Sequence, residues 1–296
     1  MPSSPPFPST VVAWARGNLR DLPWRRTRDP WRVFVAEIML QQTQVARVVD
    51  RWTGFVERYP DPATCASAPQ AGIVRGWEGL GYNRRAVMLH RAATRIVRDH
   101  AGAVPSGLDE LLALPGVGPY TARAVQAFAF EAPAAPVDTN VGRVLARVAG
   151  RRLGRRDAQQ WADSLVPVGE SWLYNQGMIE LGATICTKPS PDCGRCPVGG
   201  RCAWRGIGDD PAVGSAGSSR PQPPFAGSDR ELRGRLVDAL RRSPVGVGSL
   251  GSVLGCRNVG RGEAVVAGLV EDELIELEGG VIRLVGERAT RGRSVS

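Results

Sequence analysis

The stretch Leu114-Pro115-Gly116-Val117-Gly118-Pro119-Tyr120-Thr121-Ala122 predicts a tight turn that leads directly into a helix. Such a turn exposes backbone N–H groups at the N-terminus of the helix, where the helix dipole favours a phosphate. A Gly-x-Gly pair also serves in ordinary tight turns. The stretch alone therefore leaves two interpretations open, a phosphate-binding hairpin and a purely structural turn.

About twenty residues downstream, Val137-Asp138-Thr139-Asn140-Val141 brings a carboxylate to the start of another predicted helix, Val141 to Val148. Asp138 has the side chain of a good N-cap for that helix. Capping does not exclude a chemical role, because one carboxylate can cap a helix and also take part in a reaction.

A second acid, Glu37, lies in Val35-Ala36-Glu37-Ile38-Met39-Leu40-Gln41-Gln42-Thr43. Asp29-Pro30 offers a cap and a first-turn proline, and apolar residues then recur at helical intervals, so we predict a helix that runs through Gln44. On this helix Glu37 is either a solvated surface residue or, as its apolar neighbours favour, a partly buried acid.

Four of the six cysteines fall close together with the spacing Cys-x6-Cys-x2-Cys-x5-Cys, as Cys186, Cys193, Cys196 and Cys202. In an intracellular chain such a group binds a metal more often than it forms disulfides, because thiolates are soft ligands and the compartment is reducing. The prolines and glycine between them predict a tight loop, which disfavours four unrelated buried cysteines. By chemistry alone, an iron–sulfur cluster and a structural zinc ion both fit.

The chain of 296 residues is basic, with a formal net charge of +9 and a pI near 9.9. Residues 1–226 hold 27 of the 38 basic and 19 of the 29 acidic side chains, so the positive excess belongs to this part. Such an excess predicts an anionic partner such as nucleic acid. No apolar run approaches the roughly 20 residues of a membrane span, and the first residues lack signal-peptide features. We expect a cytoplasmic protein with no membrane partner.

The hydrophobic pattern changes twice along the chain. Residues 10–205 show helical spacing and no convincing strand. The segment 206–227 is rich in Gly, Ser, Pro and Asp, which predicts a flexible linker. A second domain is predicted at 228–290, with a tail at 291–296.

This second domain is predicted to be small and mixed. Leu232, Leu236 and Leu240 recur at four-residue spacing, which predicts a helix. The stretch from Leu274 to Val285 then predicts two short strands that turn at Gly279-Gly280. Helices followed by a small hairpin indicate a winged-helix-like α+β domain.

Together the hairpin, Asp138 and the cysteine spacing resemble the endonuclease III and MutY group of helix-hairpin-helix DNA glycosylases, over roughly residues 10–205. The resemblance implies a mainly α, two-lobed glycosylase in residues 1–205. It also implies that the four cysteines bind a 4Fe-4S cluster in the loop 186–202, where the cluster shapes a basic loop for DNA. The implied protein is of bacterial type, associated with the nucleoid through double-stranded DNA and followed by enzymes that repair abasic sites. A monomer is the simplest expectation for its oligomeric state.

The segment around Glu37 resembles the catalytic helix of the MutY-type adenine glycosylases almost residue for residue, whereas endonuclease III proteins lack an acid there. The resemblance implies that Glu37 protonates the base and that Asp138 stays ionised beneath the sugar, as electrostatic support or as a transient nucleophile. Two carboxylates with different roles suit the cleavage of a glycosidic bond. Burial would raise the pKa of Glu37 so that it carries a proton near neutral pH.

The lysine content separates this chain from endonuclease III, which forms a Schiff base through a lysine of its hairpin. Tyr120 occupies that position here, and the only lysine, Lys188, lies in the cysteine loop. The resemblance therefore implies a monofunctional glycosylase.

Further positions of the base pocket and the DNA-binding surface follow from the resemblance. Gln42, with Gln41 beside it, and Tyr82 match side chains that fill the gap left by a flipped-out nucleotide, although Tyr82 could equally belong to the core. Arg25 and Glu180 match pocket positions but could equally form a structural ion pair. The implied set is Arg25, Leu40, Gln41, Gln42, Tyr82, Gly116, Gly118, Tyr120, Asn140 and Glu180.

The chain also departs from the MutY pattern. About seventy residues follow the predicted linker, too few for the Nudix-like C-terminal domain that recognises 8-oxoguanine in many members, and the only histidines are His90 and His100. The expected activity is hydrolysis of the bond to adenine mispaired with 8-oxoguanine or guanine. The alternatives are a thymine glycosylase acting on T:G or U:G mismatches with the same fold, and a non-catalytic DNA-binding protein.

Overall fold

The computed structural model describes residues 6–216, 218, 223–256 and 258–287. The chain is mainly helical, as predicted. The helices are α1 (Phe7–Asn18), α2 (Pro30–Leu40), α3 (Val45–Arg58), α4 (Pro62–Ser67), α5 (Gln70–Gly76), α6 (Arg84–Asp99), α7 (Leu108–Ala113), α8 (Pro119–Ala129), α9 (Thr139–Ala149), α10 (Arg155–Leu165), α11 (Ser171–Thr184), α12 (Asp229–Leu240), α13 (Leu250–Leu254) and α14 (Val259–Glu271). The strands are β1 (Val245–Gly246), β2 (Ile275–Glu278) and β3 (Val281–Leu284).

The chain forms two compact units. Unit 1 contains the described residues of 1–37, 106–113 and 117–221, and unit 2 contains those of 38–105, 114–116 and 222–296. No described helix is both long and apolar enough to cross a membrane.

The core of unit 1 lies between α1, α9, α10 and α11. Val11, Leu145 and Leu181 are completely buried there. A Cβ added at Gly177 would lie 2.9 Å from the Cβ of Ala15, so α11 approaches α1 more closely than any side chain at this position would allow. This packing fixes α11, whose next turn carries Glu180.

Unit 2 combines α3–α6 with the C-terminal region. Here α12–α14 pack with an antiparallel sheet of order β1-β3-β2, in which Val245 pairs with Ile282 and Ile275 pairs with Leu284. The turn between β2 and β3 is made by Gly279 and Gly280, both with positive φ. The three leucines predicted to align on one helix are all buried on α12. These elements confirm the small winged-helix-like α+β region.

The helix α2 ends at Leu40, four residues before the predicted end at Gln44. Gln42 has a φ of 55°, a left-handed conformation that interrupts the helix. A helix that stops here leaves carbonyl groups without intrahelical partners. The Arg85 guanidinium satisfies these, donating from one nitrogen, at 2.6–3.0 Å, to the carbonyl oxygens of Ile38, Met39 and Gln41.

Part of the predicted linker is packed onto unit 1. Asp210 forms an ion pair with Arg147 at 2.7 Å, and Ser215 is buried with its Oγ accepting from the Leu153 N–H at 3.1 Å. Residues 210–216 of the predicted linker therefore contact unit 1, because polar side chains in this segment find buried partners there.

The predicted domain boundaries remain a prediction, and the division into compact units differs from them. The described residues after 222 belong to the same unit as 38–105. The predicted tail at 291–296, the end of the predicted domain at 288–290, and residues 217 and 219–222 of the predicted linker lie outside the described residues.

Candidate active site and cysteine loop

Glu37 lies on α2 in unit 1 with 5% of its surface exposed, so it is not the solvated residue that its sequence position allowed. The Tyr120 hydroxyl lies close enough to the carboxyl group to act on it through hydrogen bonding. The oxygen Oε2 has no hydrogen-bond partner in the part of the chain that the structure describes. A buried polar atom without a partner is costly, and where one persists it often serves function.

The pKa of Glu37 is raised to about 7, mainly by burial and to a smaller extent by the nearby Asp138 carboxylate. The hydrogen bond from Tyr120 and the positive charge of Arg25 act in the opposite direction. The pKa of Tyr120 is itself raised well above its ordinary value, mainly by burial, so its hydroxyl remains a donor. Glu37 can thus hold a proton at neutral pH.

Asp138 caps α9, as predicted. Its Oδ1 accepts from the backbone N–H groups of Asn140 (2.9 Å) and Val141 (2.7 Å), and its Oδ2 accepts from the Asn140 side-chain amide at 2.8 Å. Burial raises the pKa of Asp138, and these three hydrogen bonds lower it. The bonds also fix the orientation of the carboxylate.

Arg25 and Glu180 form an ion pair, one of the two interpretations left open by the sequence. Arg25 donates to Glu180 Oε2 at 2.8 Å and to Gln176 Oε1 at 2.7 Å, and Arg20 donates to the other oxygen of Glu180. Side-chain hydrogen bonds from Arg20 and Arg25 lower the pKa of Glu180 against the opposing effect of burial. The positive charge of Arg25 also lowers the pKa of Glu37, so the pair of Arg25 and Glu180 lies near the proposed acid.

Arg143 joins the Asp138 network to the cysteine loop. One guanidinium nitrogen donates to Asn140 Oδ1 at 2.8 Å and to the Gly182 carbonyl at 2.6 Å, and another donates to the Cys186 carbonyl at 2.7 Å. With its oxygen held by Arg143, the Asn140 amide must present its NH2 group to Asp138. A Cβ at Gly182 would lie 2.6 Å from that of Asn140, so this glycine permits the close contact.

The four cysteines of the predicted metal loop line one cavity of about 460 Å³. Arg147 donates to the Sγ of Cys186 at 3.3 Å, and its carbonyl oxygen accepts from Cys202 Sγ at 3.2 Å. Among the described residues, no three Cys, His or acidic side chains are gathered as ligands of one metal ion. The chemistry of four thiols around one cavity fits a metal centre with thiolate ligands.

The hairpin joins α7 to α8. Gly116 has a φ of 78°, and a Cβ there would lie 2.8 Å from the Cβ of Met88, so only glycine fits. Gly118 is the N-cap residue of α8 and offers no side chain to its first N–H groups. The predicted phosphate site remains a prediction.

The remaining predicted DNA-binding residues lie together in unit 2. Leu40 is half-buried at the end of α2, and the Gln41 amide donates to the Gly116 carbonyl at 3.2 Å. Gln42 and Tyr82 are both exposed and both adopt positive φ, 55° and 45°. Tyr82 is therefore not a core residue. Two non-glycine residues in this strained region are a feature of functional loops.

Sequence reasoning missed Gln176, Arg143 and Arg85. A signal existed for Arg143, because it follows Asn140 by three residues on one helix and so lies on the same face. No local signal existed for the contacts of Arg85 with Ile38, Met39 and Gln41, since these residues lie more than forty positions away in the sequence. In the sequence, the pair Arg84-Arg85 looks like two charged residues of a solvated surface.

Comparison with known proteins identifies the chain as a base-excision DNA repair enzyme. Residues 35–160 match the model of the HhH-GPD superfamily of base excision DNA repair proteins. An adenine DNA glycosylase of Mycobacterium tuberculosis is 45% identical over 243 residues, covering 79% of this chain and 78% of that protein. An adenine DNA glycosylase of Mycolicibacterium smegmatis is 39% identical over 290 residues, covering 96% of this chain and 97% of that protein.

Two solved structures share the fold. A thermostable thymine-DNA glycosylase has a TM-score of 0.65 and 32% identity, covering 68% of this chain and 95% of that one. A trapped covalent intermediate of endonuclease III with DNA has a TM-score of 0.60 and 26% identity, covering 67% and 93%. The chain belongs to the adenine DNA glycosylases of the helix-hairpin-helix superfamily.

Proposed function

We propose that this protein hydrolyses the N-glycosidic bond of adenine mispaired with 8-oxoguanine or guanine in double-stranded DNA, without cutting the strand. The observation that carries the proposal is the Glu37 carboxyl, which is buried, has a free oxygen and has a pKa near the physiological pH. The adenine specificity of the Mycobacterium tuberculosis and Mycolicibacterium smegmatis relatives supports this choice of base.

Glu37 acts as the general acid. With a pKa of about 7, a substantial fraction of the carboxyl is protonated at neutral pH, and Oε2 has no competing partner. As the bond between C1′ and the base breaks, its electron pair goes to the base, and the proton from Glu37 keeps the leaving adenine neutral. A water molecule then adds to C1′ and loses a proton, which leaves free adenine and an abasic sugar.

Asp138 supports the positive charge that develops on the sugar. Three N–H donors hold its two oxygens, so little reorganisation is needed when the charge appears. Arg143 keeps the Asn140 amide in the orientation that one of these bonds requires. Burial around both acids makes their electrostatic influence larger than it would be in water.

The absence of strand cleavage is proposed from the chemistry of the hairpin. Tyr120, which lies beside Glu37, is a phenol and cannot form a Schiff base. The only lysine of the chain, Lys188, lies in the cysteine loop.

The four cysteines would hold a 4Fe-4S cluster, which organises the loop. Arg147 would stabilise it from the protein side, because its guanidinium contacts both Cys186 Sγ and the carbonyl oxygen of Thr187. Anaerobically purified protein should contain about four irons per chain and absorb broadly in the visible. Colourless protein with one zinc ion per chain would favour the alternative metal.

The test of the proposed function is single-turnover base excision on duplexes that contain A opposite 8-oxoguanine, A opposite G, T opposite G and U opposite G. Wild type should release adenine, and Glu37→Gln should reduce the rate by about 10²- to 10⁴-fold, the usual contribution of a general acid. The matched control is Glu170→Gln, an exposed glutamate of the same unit, which should leave the rate unchanged. Unchanged rates in both Glu37→Gln and Asp138→Asn would contradict the mechanism.

A second candidate is removal of thymine or uracil opposite guanine. It is favoured by the fold similarity to the thymine-DNA glycosylase. Release of thymine or uracil, with no release of adenine, would establish this candidate. Adenine is preferred because the relatives that cover most of the chain are adenine glycosylases.

A further inference from the structure

A large cleft in unit 2 lies beside Gln42 and Tyr82 and remains unused by the mechanism. Its volume is about 1030 Å³, at the upper end of the roughly 300–1,000 Å³ typical of ligand pockets. One wall comes from the turns that follow α2 and α5, and the other from α12 of the C-terminal region. The cleft therefore lies between the predicted wedge loops and the C-terminal region of unit 2.

Arg230 on α12 is held at the mouth of this cleft. Its guanidinium donates to the Tyr82 hydroxyl at 3.4 Å and to the Pro223 carbonyl at 2.7 Å, and it lies 6.0 Å from the centre of the Phe225 ring. Its cationic group thus lies directly beside a side chain proposed to enter the DNA duplex.

The C-terminal region is fixed to the loop that carries Tyr82. Asp272 pairs with both Arg84 and Arg233, and Arg241 donates to the Asn83 side chain at 2.8 Å. Asn83 and Arg84 follow Tyr82 directly in the chain. Several ion pairs and hydrogen bonds, and not only the connecting chain, therefore set the position of Arg230 relative to Tyr82.

The cleft is rich in hydrogen-bond donors. Gln41, Gln42, Arg47 and Arg230 all line it, and Arg47 makes no ion pair within the described residues. The two acids on its walls, Asp238 and Asp272, already pair with arginines. Guanine presents two acceptors, O6 and N7, that suit an arginine, and 8-oxoguanine retains O6 and adds O8.

We propose that this cleft receives the nucleotide opposite the excised base, and that Arg230 determines specificity by donating hydrogen bonds to a guanine-type base there. The inference rests on the proposed function, because it takes Gln42 and Tyr82 as the residues that enter the duplex. It assigns the recognition of the opposite base to α12.

The test is equilibrium binding to duplexes that carry 2′-fluoro-2′-deoxyadenosine, which resists hydrolysis, opposite G, 8-oxoguanine or C. Arg230→Ala should weaken binding about tenfold when guanine or 8-oxoguanine is opposite, and less than about twofold when C is opposite, the scale of one good arginine–base contact. Arg242→Ala removes the same charge from an exposed site outside the cleft and should leave the preference intact.

A second variant separates base recognition from phosphate binding and from misfolding. Arg230→Lys keeps the charge but loses the planar fork, so it should lose the preference as Arg230→Ala does. Binding could instead weaken equally on all three duplexes, with the slope of log K against log salt concentration reduced in magnitude by about one. That result would identify a phosphate contact and overturn the proposal. Full binding preference in both variants would also overturn it.

Failure of the proposed function has a different signature. It would appear as wild-type protein that releases no adenine from cleavable duplexes, whatever base is opposite. The binding preference is measured without hydrolysis, so the two outcomes are recorded independently.

Discussion

Glu37 and Glu180 are two buried glutamates of the same unit with opposite properties. Glu180 is fully buried, and both of its oxygens accept from arginines, so its pKa lies below the ordinary value. Glu37 is buried as well, but one oxygen has no partner and its pKa rises to about 7. Burial alone therefore does not decide the charge of a carboxyl group, whereas the number of donors around it does.

The largest expected effect comes from replacing Glu180, the glutamate that is paired with arginines. Glu180→Gln leaves Arg25 buried with a neutral partner, and we expect a loss of about 3–5 kcal/mol in the free energy of unfolding at pH 7. Urea denaturation measures it. Arg16→Ala breaks the exposed pair with Glu170 and should cost less than about 1 kcal/mol. Equal effects in the two variants would show that Arg25 and Glu180 are not coupled energetically.

The second test replaces the unpaired acid. Because the pKa of Glu37 is higher in the folded state, wild type loses stability as pH rises from the ordinary value of 4.5 to about 7. Glu37→Gln should therefore be more stable than wild type at pH 8, by up to about 3 kcal/mol, and equal to it near pH 4. Denaturation at both pH values measures this. A variant that is less stable at pH 8 would contradict the raised pKa.

The third test follows the same proton in catalysis. The protonated form of Glu37 is the active one, so the excision rate should fall as pH rises through about 7, by roughly a hundredfold between pH 6 and pH 9. Single-turnover rates across this range measure the decline. The residual rate of Glu37→Gln should not depend on pH in this way. A midpoint near the ordinary pKa of a glutamate would exclude Glu37 as the acid.

The smallest expected effect comes from Tyr120→Phe. Its hydroxyl lowers the pKa of Glu37, so its removal should move the alkaline limb of the pH–rate profile to higher pH. At neutral pH we expect the rate to change by about fivefold or less, the scale of one hydrogen bond. Tyr174→Phe, on the buried side of α11, is the control and should not move the limb. An unmoved limb would show that Tyr120 does not lower the pKa of Glu37.

Much of the fold could be predicted from local patterns. The helices, the C-terminal hairpin at Gly279-Gly280 and the Asp138 cap all depend on neighbours close in the chain. The end of α2 could not be predicted from local patterns. Gln42 adopts its left-handed conformation next to the side chain of Arg85, which lies more than forty residues further along the sequence. The contacts of residues 210–216 were missed for the same reason, since their partners come from α9 and from the connection that follows it.

The candidate site shows the same division. Resemblance and chemistry indicated Glu37, Asp138 and the cysteines, which carry recognisable residue types at recognisable spacing. The residues that hold them in place were not indicated, because an arginine such as Arg143 gains its role only from what surrounds it. Whether Arg25 and Glu180 form an ion pair was equally undecidable from sequence, since α11 had to be placed beside the 3-10 turn Pro23–Arg26.

Arg85 binds both loops that carry the exposed Gln42 and Tyr82. Its guanidinium reaches the Gln41 carbonyl and the Thr43 hydroxyl on one side, and the Leu80 and Gly81 carbonyls on the other. Arg85 thus gives the two loops a shared support, and a single substitution at this residue would remove that support from both at once.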